Sequence, residues 1–409
     1  MLDVLRVAAE SDEALAAWLT ALGEADEPDE PSVEAGVPSA GQGASSAGAG
    51  VLSVEAGVSS AGAGVLSVEA GVSSAGAGVL SVEAGVSSAG AGASSVEALL
   101  PDADELPEVL LDLAVPHEDV NELVALRARV LDHPDTRWVL TRCVDVLLRD
   151  LGEPEKSPRL PALPEELGEL GSCFYVFVFL AALPRVRAYH RRRGIPDDVS
   201  RHTLADLGRH MAVHRRGHDG RGVPVPGWNA LHFRGELYQL GRLQFQRSLL
   251  GPRMGAALAA AGTGLGPGDR CLNIHIPDFR GPLTPRACQR SVDLAREFFP
   301  RHFPDERYDV AVCHSWLLDP QLKEYLPADS NIVRFQERFR LADTYGEQAP
   351  DDTVPVGFVF GDRQLAVGGL PRRTRVERAV GDHLRAGGHW YGGHGWFPLG
   401  RPGVARPFP

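Results

Sequence analysis

Basic residues are almost missing from the first quarter of this chain. Between Met1 and Glu108 there are 18 acidic residues and a single basic one, Arg6. The remainder carries 36 acidic and 40 basic residues, so the net charge of −13 belongs to the front and the body is mildly basic. The bias of a body so near balance is too small to argue for nucleic-acid binding, and suits an anionic ligand such as a phosphorylated cofactor. Long apolar runs are missing as well. The longest, CFYVFVFLAAL from Cys173 to Leu183, is too short to span a bilayer and reads as a buried helix or strand. The N-terminus has no basic segment leading into an apolar one, so no signal peptide is expected. Cysteine is scarce: five residues without paired spacing predict free thiols in a cytoplasmic protein, with no membrane partner.

What is present divides the chain. Residues 1–28 hold an amphipathic helix, with Leu2, Leu5, Val7, Leu15, Trp18, Leu19 and Leu22 on a broken apolar face. Residues 29–95 hold a 14-residue tandem repeat, VLSVEAGVSSAGAG, three times unchanged from Val51, Val65 and Val79. Its Gly, Ala and Ser cannot bury enough apolar area to offset chain entropy, which predicts a disordered linker. Residues 96–235 show apolar spacing of three and four, punctuated by Pro116, Pro134, Pro154 and Pro184, and read as an all-helical domain. Within it, Pro196, Asp197 and Asp198 start one helix that Gly217 ends. His210, His214 and His218 recur every four residues there. A solvated, Arg-rich face explains them more simply than zinc, and no metal is expected. From 236 to 409 short strands alternate with helices, beginning with FRGELYQLGRLQFQRSL as one long strand interrupted by glycine.

The chemistry-bearing stretch is Cys271–Leu341, expected as β-α-β-α-β. In LNIHIP, Leu272, Ile274 and Ile276 share one face, and Asn273 and His275 the other. Thr284 and Pro285 cap a helix that Pro300 stops. In YDVAVCHSW, His314 faces opposite to Cys313 and Ser315, and Asp319 opens a short helix. NIVRFQERFRL is expected as a strand placing Glu337 among Val333, Phe335, Phe339 and Leu341, where lost hydration would raise its carboxyl toward the range of a general base. The competing reading is a bulge that turns Glu337 outward, or an ion pair with a nearby arginine.

The motifs GRLQF, NIHIP with GPL, FF, CHSWLLDP and SNIVRF, in that order, resemble a bacterial acyltransferase family. Its members join a helical N-acyltransferase N-terminal domain to a GNAT-like C-terminal domain, and the resemblance covers about Val96 to Pro398. It implies an α+β fold, a helical half followed by a GNAT-like mixed sheet. It also implies an enzyme that moves an acyl group, expected to be acetyl, from acetyl-CoA or another acyl-CoA to an amine. The acceptor would be a small molecule or a peptide, attacking directly in a ternary complex. On that reading Glu337 or His275 is the base, and His314 or Tyr308 protonates the leaving thiolate. The usual CoA diphosphate string is missing. The nearest substitute is Gly368, Gly369, Arg372, Arg373 and Thr374 at the start of a helix, with a solvated turn as the alternative. Two rival readings stand beside this one. Cys313 could act as a covalent nucleophile with His275 as its base, in an acyltransferase or hydrolase. The chain could also be a binding module that kept the fold and lost the chemistry. His389 and His394, in the Gly-aromatic loop GGHWYGGHGW, are expected at a lid or edge of the pocket, with aromatic packing as the equal alternative.

Overall fold

The computed structural model describes residues 1–24, 100–156, 158–217, 221–223, 225–342 and 349–400. The expected linker at 29–95 and His218 lie outside the described residues. The first helix is a pair instead of one: α1 (Leu2–Ala9) and α2 (Glu13–Glu24) bend at Glu10–Asp12, where Asp12 Oδ1 accepts the amide of Leu15. Their Leu5, Leu15, Trp18 and Leu22 enter the core of the helical half.

That half continues with α3 (Leu106–Asp112), α4 (His117–Asp132), α5 (Pro134–Leu148), α6 (Gly168–Arg192), α7 (Asp197–Leu204), α8 (Asp206–Gly217) and α9 (Pro226–Phe233). The apolar run at Cys173–Leu183 lies in α6, which is buried nearly all round. Such a side chain gains about 1.5–3 kcal/mol from leaving water, and Phe174, Phe177 and Phe179 leave it completely. By length and composition the stretch around α6 is long enough to cross a bilayer, yet 67% of its apolar window is buried inside the protein. Pro184 was expected to end this helix, but α6 runs through it. The single helix expected from Pro196 to Gly217 breaks at Ala205 into α7 and α8.

The sheet half adds β1 (Leu237–Leu240), β2 (Leu243–Leu249), α10 (Pro252–Ala260), β3 (Arg270–His275), α11 (Pro285–His302), β4 (Val310–Ser315), α12 (Leu322–Tyr325), α13 (Asn331–Gln336), β5 (Arg340–Leu341), α14 (Thr353–Phe360), α15 (Arg375–Arg385) and β6 (Gly393–Pro398). The long strand around residue 241 is a hairpin, because Gly241 turns with φ +71° and folds β1 back on β2. The strand order is β1-β2-β3-β4-β6-β5, with only β3 and β4 parallel. Thr284 caps α11 by accepting the amide of Ala287 at 3.2 Å, as expected, whereas Pro300 lies inside the helix. The apolar face of α11 packs on Leu243, Phe245, Leu272, Ile274, Ala311 and Cys313, forming the second core.

NIVRF is not a strand. Ser330 accepts the amide of Val333 at 3.3 Å and starts α13, a helix that ends at Glu337. The cap overrides the alternation, and the expected β-α-β-α-β becomes β-α-β followed by helices. Arg234, fully buried, joins the two halves. It donates to the carbonyls of Leu147 and Arg149, both at 2.7 Å, closing the end of α5, and pairs with Glu236 at 2.7 Å ahead of β1.

Candidate active site

The parallel pair β3 and β4 organises the site. Its register holds for two residue pairs, Leu272 with Ala311 and Asn273 with Val312, although each strand runs further. The ladder between them stops short of their carboxyl ends, and this break is the parting of the pair; open α/β sheets take ligands at that end. Parity fixes what faces what. His275 lies opposite Gln244, Asn273 opposite Val312 and Gln246, and His314 opposite His394. His275 and His314 thus share the sheet face turned away from α11, on the two sides of the parting. Along that face Gln246, Asn273, His314 and His394 are half-buried, a polar strip across four strands interrupted by the apolar Val312.

His275 is the best-defined group on this face. Its Nε2 lies 2.9 Å from Gln246 Oε1, so Nε2 carries the proton and Nδ1 keeps a lone pair. Trp228 from α9 stands edge-on to the ring at 4.6 Å. Burial, aided by the nearby His232, holds this imidazole down to about 3, so it is neutral near pH 7. Behind it Asp206 lies 3.0 Å from His232 and 3.3 Å from His210, and accepts from Gln244 at 2.8 Å. His314 stacks on His394 at 4.0 Å with the rings 4° from parallel, and burial followed by His314 lowers His394 to about 4. His394, expected at a pocket edge, is therefore a strand residue of the same polar strip.

The remaining candidates fall elsewhere. Glu337 caps the end of α13, is exposed, and pairs with Arg334 at 3.2 Å. The aromatic burial expected to raise its carboxyl is absent, and the ion-pair alternative describes it. Tyr308 precedes β4 and packs on Phe299 at 5.5 Å while its hydroxyl donates to Glu306. From the β3–β4 register it lies about 20 Å along the strands from His275, so the two do not meet. Cys313 points to the α11 side, and burial pushes its thiol up to about 12. His275 is on the other face, so the proposed Cys313–His275 pair does not form, and a thiol so protonated is a poor nucleophile.

The expected diphosphate cradle is already filled from within. Gly368 and Gly369 lie in an exposed short helix, while Thr374 caps α15 in a reciprocal box with Glu377. The Glu377 carboxylate takes the amides of Arg373 and Thr374, the groups a phosphate would need. Arg372 pairs with Asp382, and Arg373 with Glu377 at 3.3 Å. No cluster of three metal-ligating side chains occurs among the described residues.

Gln246 and Gln244 were not singled out from the sequence, and Trp228 carried only the family resemblance of the helical half, with no site role. The alternating glutamines of LQFQR were the available signal: a strand polar at every second position that is nonetheless buried must be answering polar partners.

Comparison with known proteins agrees with this architecture. The N-acyltransferase N-terminal domain matches residues 104–235, and the GNAT-like C-terminal domain matches residues 237–397. Among solved structures the chain is similar to an acyltransferase in complex with decanoyl-CoA and teicoplanin. The TM-score is 0.66 with 37% identity, over 75% of this chain and 93% of that one. The same values hold for an acyltransferase mutant in complex with octanoyl-CoA, and for an acyltransferase in complex with CoA and 10C-teicoplanin. No curated protein matches.

Proposed function

Because this chain belongs to the family that joins an N-acyltransferase N-terminal domain to a GNAT-like C-terminal domain, and is an acyl-CoA-dependent N-acyltransferase, we propose that it moves a medium-chain acyl group to an amine of a glycopeptide-like small molecule. Relatives holding octanoyl-CoA, decanoyl-CoA and teicoplanin support this choice of donor and acceptor over acetyl and a peptide. The thioester arm enters where β3 and β4 part, and the acceptor lies on the polar face with His275. Residues 96–235 and 236–409 act as two halves of one site, with Trp228 reaching from the first onto the second.

The observation that carries the mechanism is the neutral, oriented imidazole beside the parted strands. The acceptor nitrogen attacks the thioester carbon with its N–H held by Nδ1 of His275, an imidazole that is neutral and free to accept but too weakly basic in its buried state to keep the proton, while Gln246 keeps Nε2 protonated. Backbone N–H groups freed where the ladder ends are placed to meet the developing oxyanion. Collapse forms the amide and releases the CoA thiolate, which takes a proton from His314 or from the imidazolium of His275. Acyl-CoA use and the buried free cysteines support a cytoplasmic workplace.

The test compares acetyl-, octanoyl- and decanoyl-CoA with teicoplanin as acceptor, reading product mass and kcat/KM. The expected result is acylated product with the two longer donors favoured over acetyl by at least about tenfold, one increment of about 1.4 kcal/mol. Preference for acetyl, or no acylated teicoplanin, would remove this choice of substrates.

A further inference from the structure

Behind the Trp228 ring two histidines and one carboxyl lie close together. His232, one turn after Trp228 on α9, sets its Nδ1 3.2 Å from the carbonyl oxygen of Trp228. Its Nε2 lies 3.2 Å from the side-chain amide nitrogen of Gln244 and 3.0 Å from Asp206 Oδ2. The same amide nitrogen donates to Asp206 Oδ1 at 2.8 Å. Asp206 opens α8 and is buried; it pairs with Arg209 through Oδ1, and its Oδ2 also lies 3.3 Å from Nε2 of His210.

These contacts fix where the hydrogens must be. A carbonyl oxygen only accepts, so Nδ1 of His232 carries a hydrogen. The NH2 group of Gln244 only donates, so the Nε2 it faces presents a lone pair. An ionised carboxylate would set Oδ2 against that lone pair with no hydrogen between them. Inverting the Gln244 amide gives no way out, because its oxygen would then lie 2.8 Å from Asp206 Oδ1 and again need a hydrogen on the carboxyl. A neutral Asp206, with Oδ2–H donating to His232, satisfies every contact. The rival, an imidazolium beside a carboxylate, presses the His232 N–H against an N–H of Gln244. Arg209 favours the ionised carboxyl, and burial opposes it. Burial holds His232 down to about 3 and His210 well below its ordinary value, so neither ring supplies a cation for a carboxylate to pair with. Arg209 itself is lowered to about 9, by burial and then by Arg280, as an undercompensated guanidinium would be. A dry carboxyl in these conditions keeps its proton and becomes a hydrogen-bond donor.

The arrangement reaches His275 through Trp228. The indole Nε1 is buried without a partner, so no hydrogen bond of its own holds the ring. Neighbouring rings hold it instead: His232 at 6.0 Å, His210 at 6.1 Å and, edge-on, His275 at 4.6 Å. We propose that Asp206 is a proton-bearing carboxyl and a positioning residue for His275: it donates to His232, His232 fixes Trp228, and Trp228 holds the imidazole in the pose that Gln246 completes. The role in catalysis rests on the acyl-transfer reading given above; the neutral carboxyl rests on the hydrogen bonds alone.

The test uses the full chain and has two readouts. Nitrogen NMR of the histidine-labelled wild type at neutral pH gives the tautomer of His232, its signals assigned by their loss in His232→Gln. Nδ1 protonated and Nε2 bare is the expected result. A proton on Nε2, in the neutral ring or in an imidazolium, would overturn the neutral carboxyl. Single-turnover transfer of decanoyl from its CoA ester to teicoplanin is then compared for wild type, Asp206→Ala and Asp206→Asn. Asp206→Ala is expected to be slower by about tenfold or more, with the affinity for decanoyl-CoA nearly unchanged. The carboxamide of Asp206→Asn offers one donor and one acceptor, as the neutral acid does, and is expected to recover most of that loss. An Asp206→Ala protein as fast as wild type would overturn the positioning role. An Asp206→Asn protein that is folded by urea unfolding, yet slowed about tenfold or more, would overturn the proposal even if Asp206→Ala fails to fold. A wild type that transfers no decanoyl group would remove the acyl-transfer reading and the positioning role with it, and the tautomer would still decide the neutral carboxyl.

Discussion

His275 carries a consequence that does not depend on substrate. Burial holds its imidazole at about 3 in the folded chain, against 6.5 when unperturbed. Below about pH 6.5 the unfolded chain binds a proton that the folded chain refuses, so stability is lost as pH falls toward 3 and is unaffected above 6.5. At about pH 5.5 the unfolded imidazole is roughly nine-tenths protonated and the folded one almost bare, a cost of about 1.4 kcal/mol. His190 and His232, held at about 4 and about 3 by burial, act in the same direction, so the wild type loses more than this in total. A difference between proteins isolates the one group. Urea unfolding of wild type and His275→Gln, each at about pH 7.5 and about pH 5.5, gives the two pH dependences. The wild type is expected to lose about 1.4 kcal/mol more than the variant on acidification, somewhat less if His232 responds to the change. Parallel losses in the two proteins would mean that this imidazole is solvated in the folded state, and the argument for a neutral, oriented base would fall with it.

Arg234→Met removes the buried cationic partner of Glu236 and the donor to the carbonyls of Leu147 and Arg149, so chemical unfolding is expected to show a loss of about 3–5 kcal/mol. A loss under about 1 kcal/mol would mean that the two halves are not joined there. Cys313 is expected to resist iodoacetamide in the native chain and to react once the chain is unfolded in urea, as peptide mapping would show; rapid native labelling would restore the covalent alternative.

Local pattern carried much of the sheet half. Alternation in LNIHIP and the Thr284–Pro285 start of α11 are properties of neighbouring residues, and both appear in the structure as expected. The failures come from competition between two local signals. NIVRFQERFRL alternates like a strand, yet Ser330 offers a cap that satisfies the first free amide of a helix, and the helix forms. Glu337 then moves from a buried strand position to an exposed helix end, and its candidacy as base moves with it. In FRGELYQLGRLQFQRSL a glycine could mark a bulge or a turn, and pairing of Leu240 with Leu243 decides for the turn. At Thr374 the same capping chemistry that suggested a phosphate cradle is completed by Glu377, three residues on. His275 was visible as a polar residue on a strand. Its partners were not, because Gln246 lies 29 residues away in sequence and Trp228 comes from a helix of the other half. Such contacts are made by the fold and leave no periodic trace.

The measurement closest to the centre is a single-turnover assay of decanoyl transfer to teicoplanin by wild type, His275→Ala and Glu337→Gln. Loss of the base at the parted strands is expected to slow the His275→Ala reaction by about 10²–10⁴-fold, with the acyl-CoA affinity nearly unchanged, while Glu337→Gln runs at the wild-type rate. A His275→Ala protein as fast as wild type, or a Glu337→Gln protein as slow as that loss, would contradict the placing of proton transfer at the parting of β3 and β4.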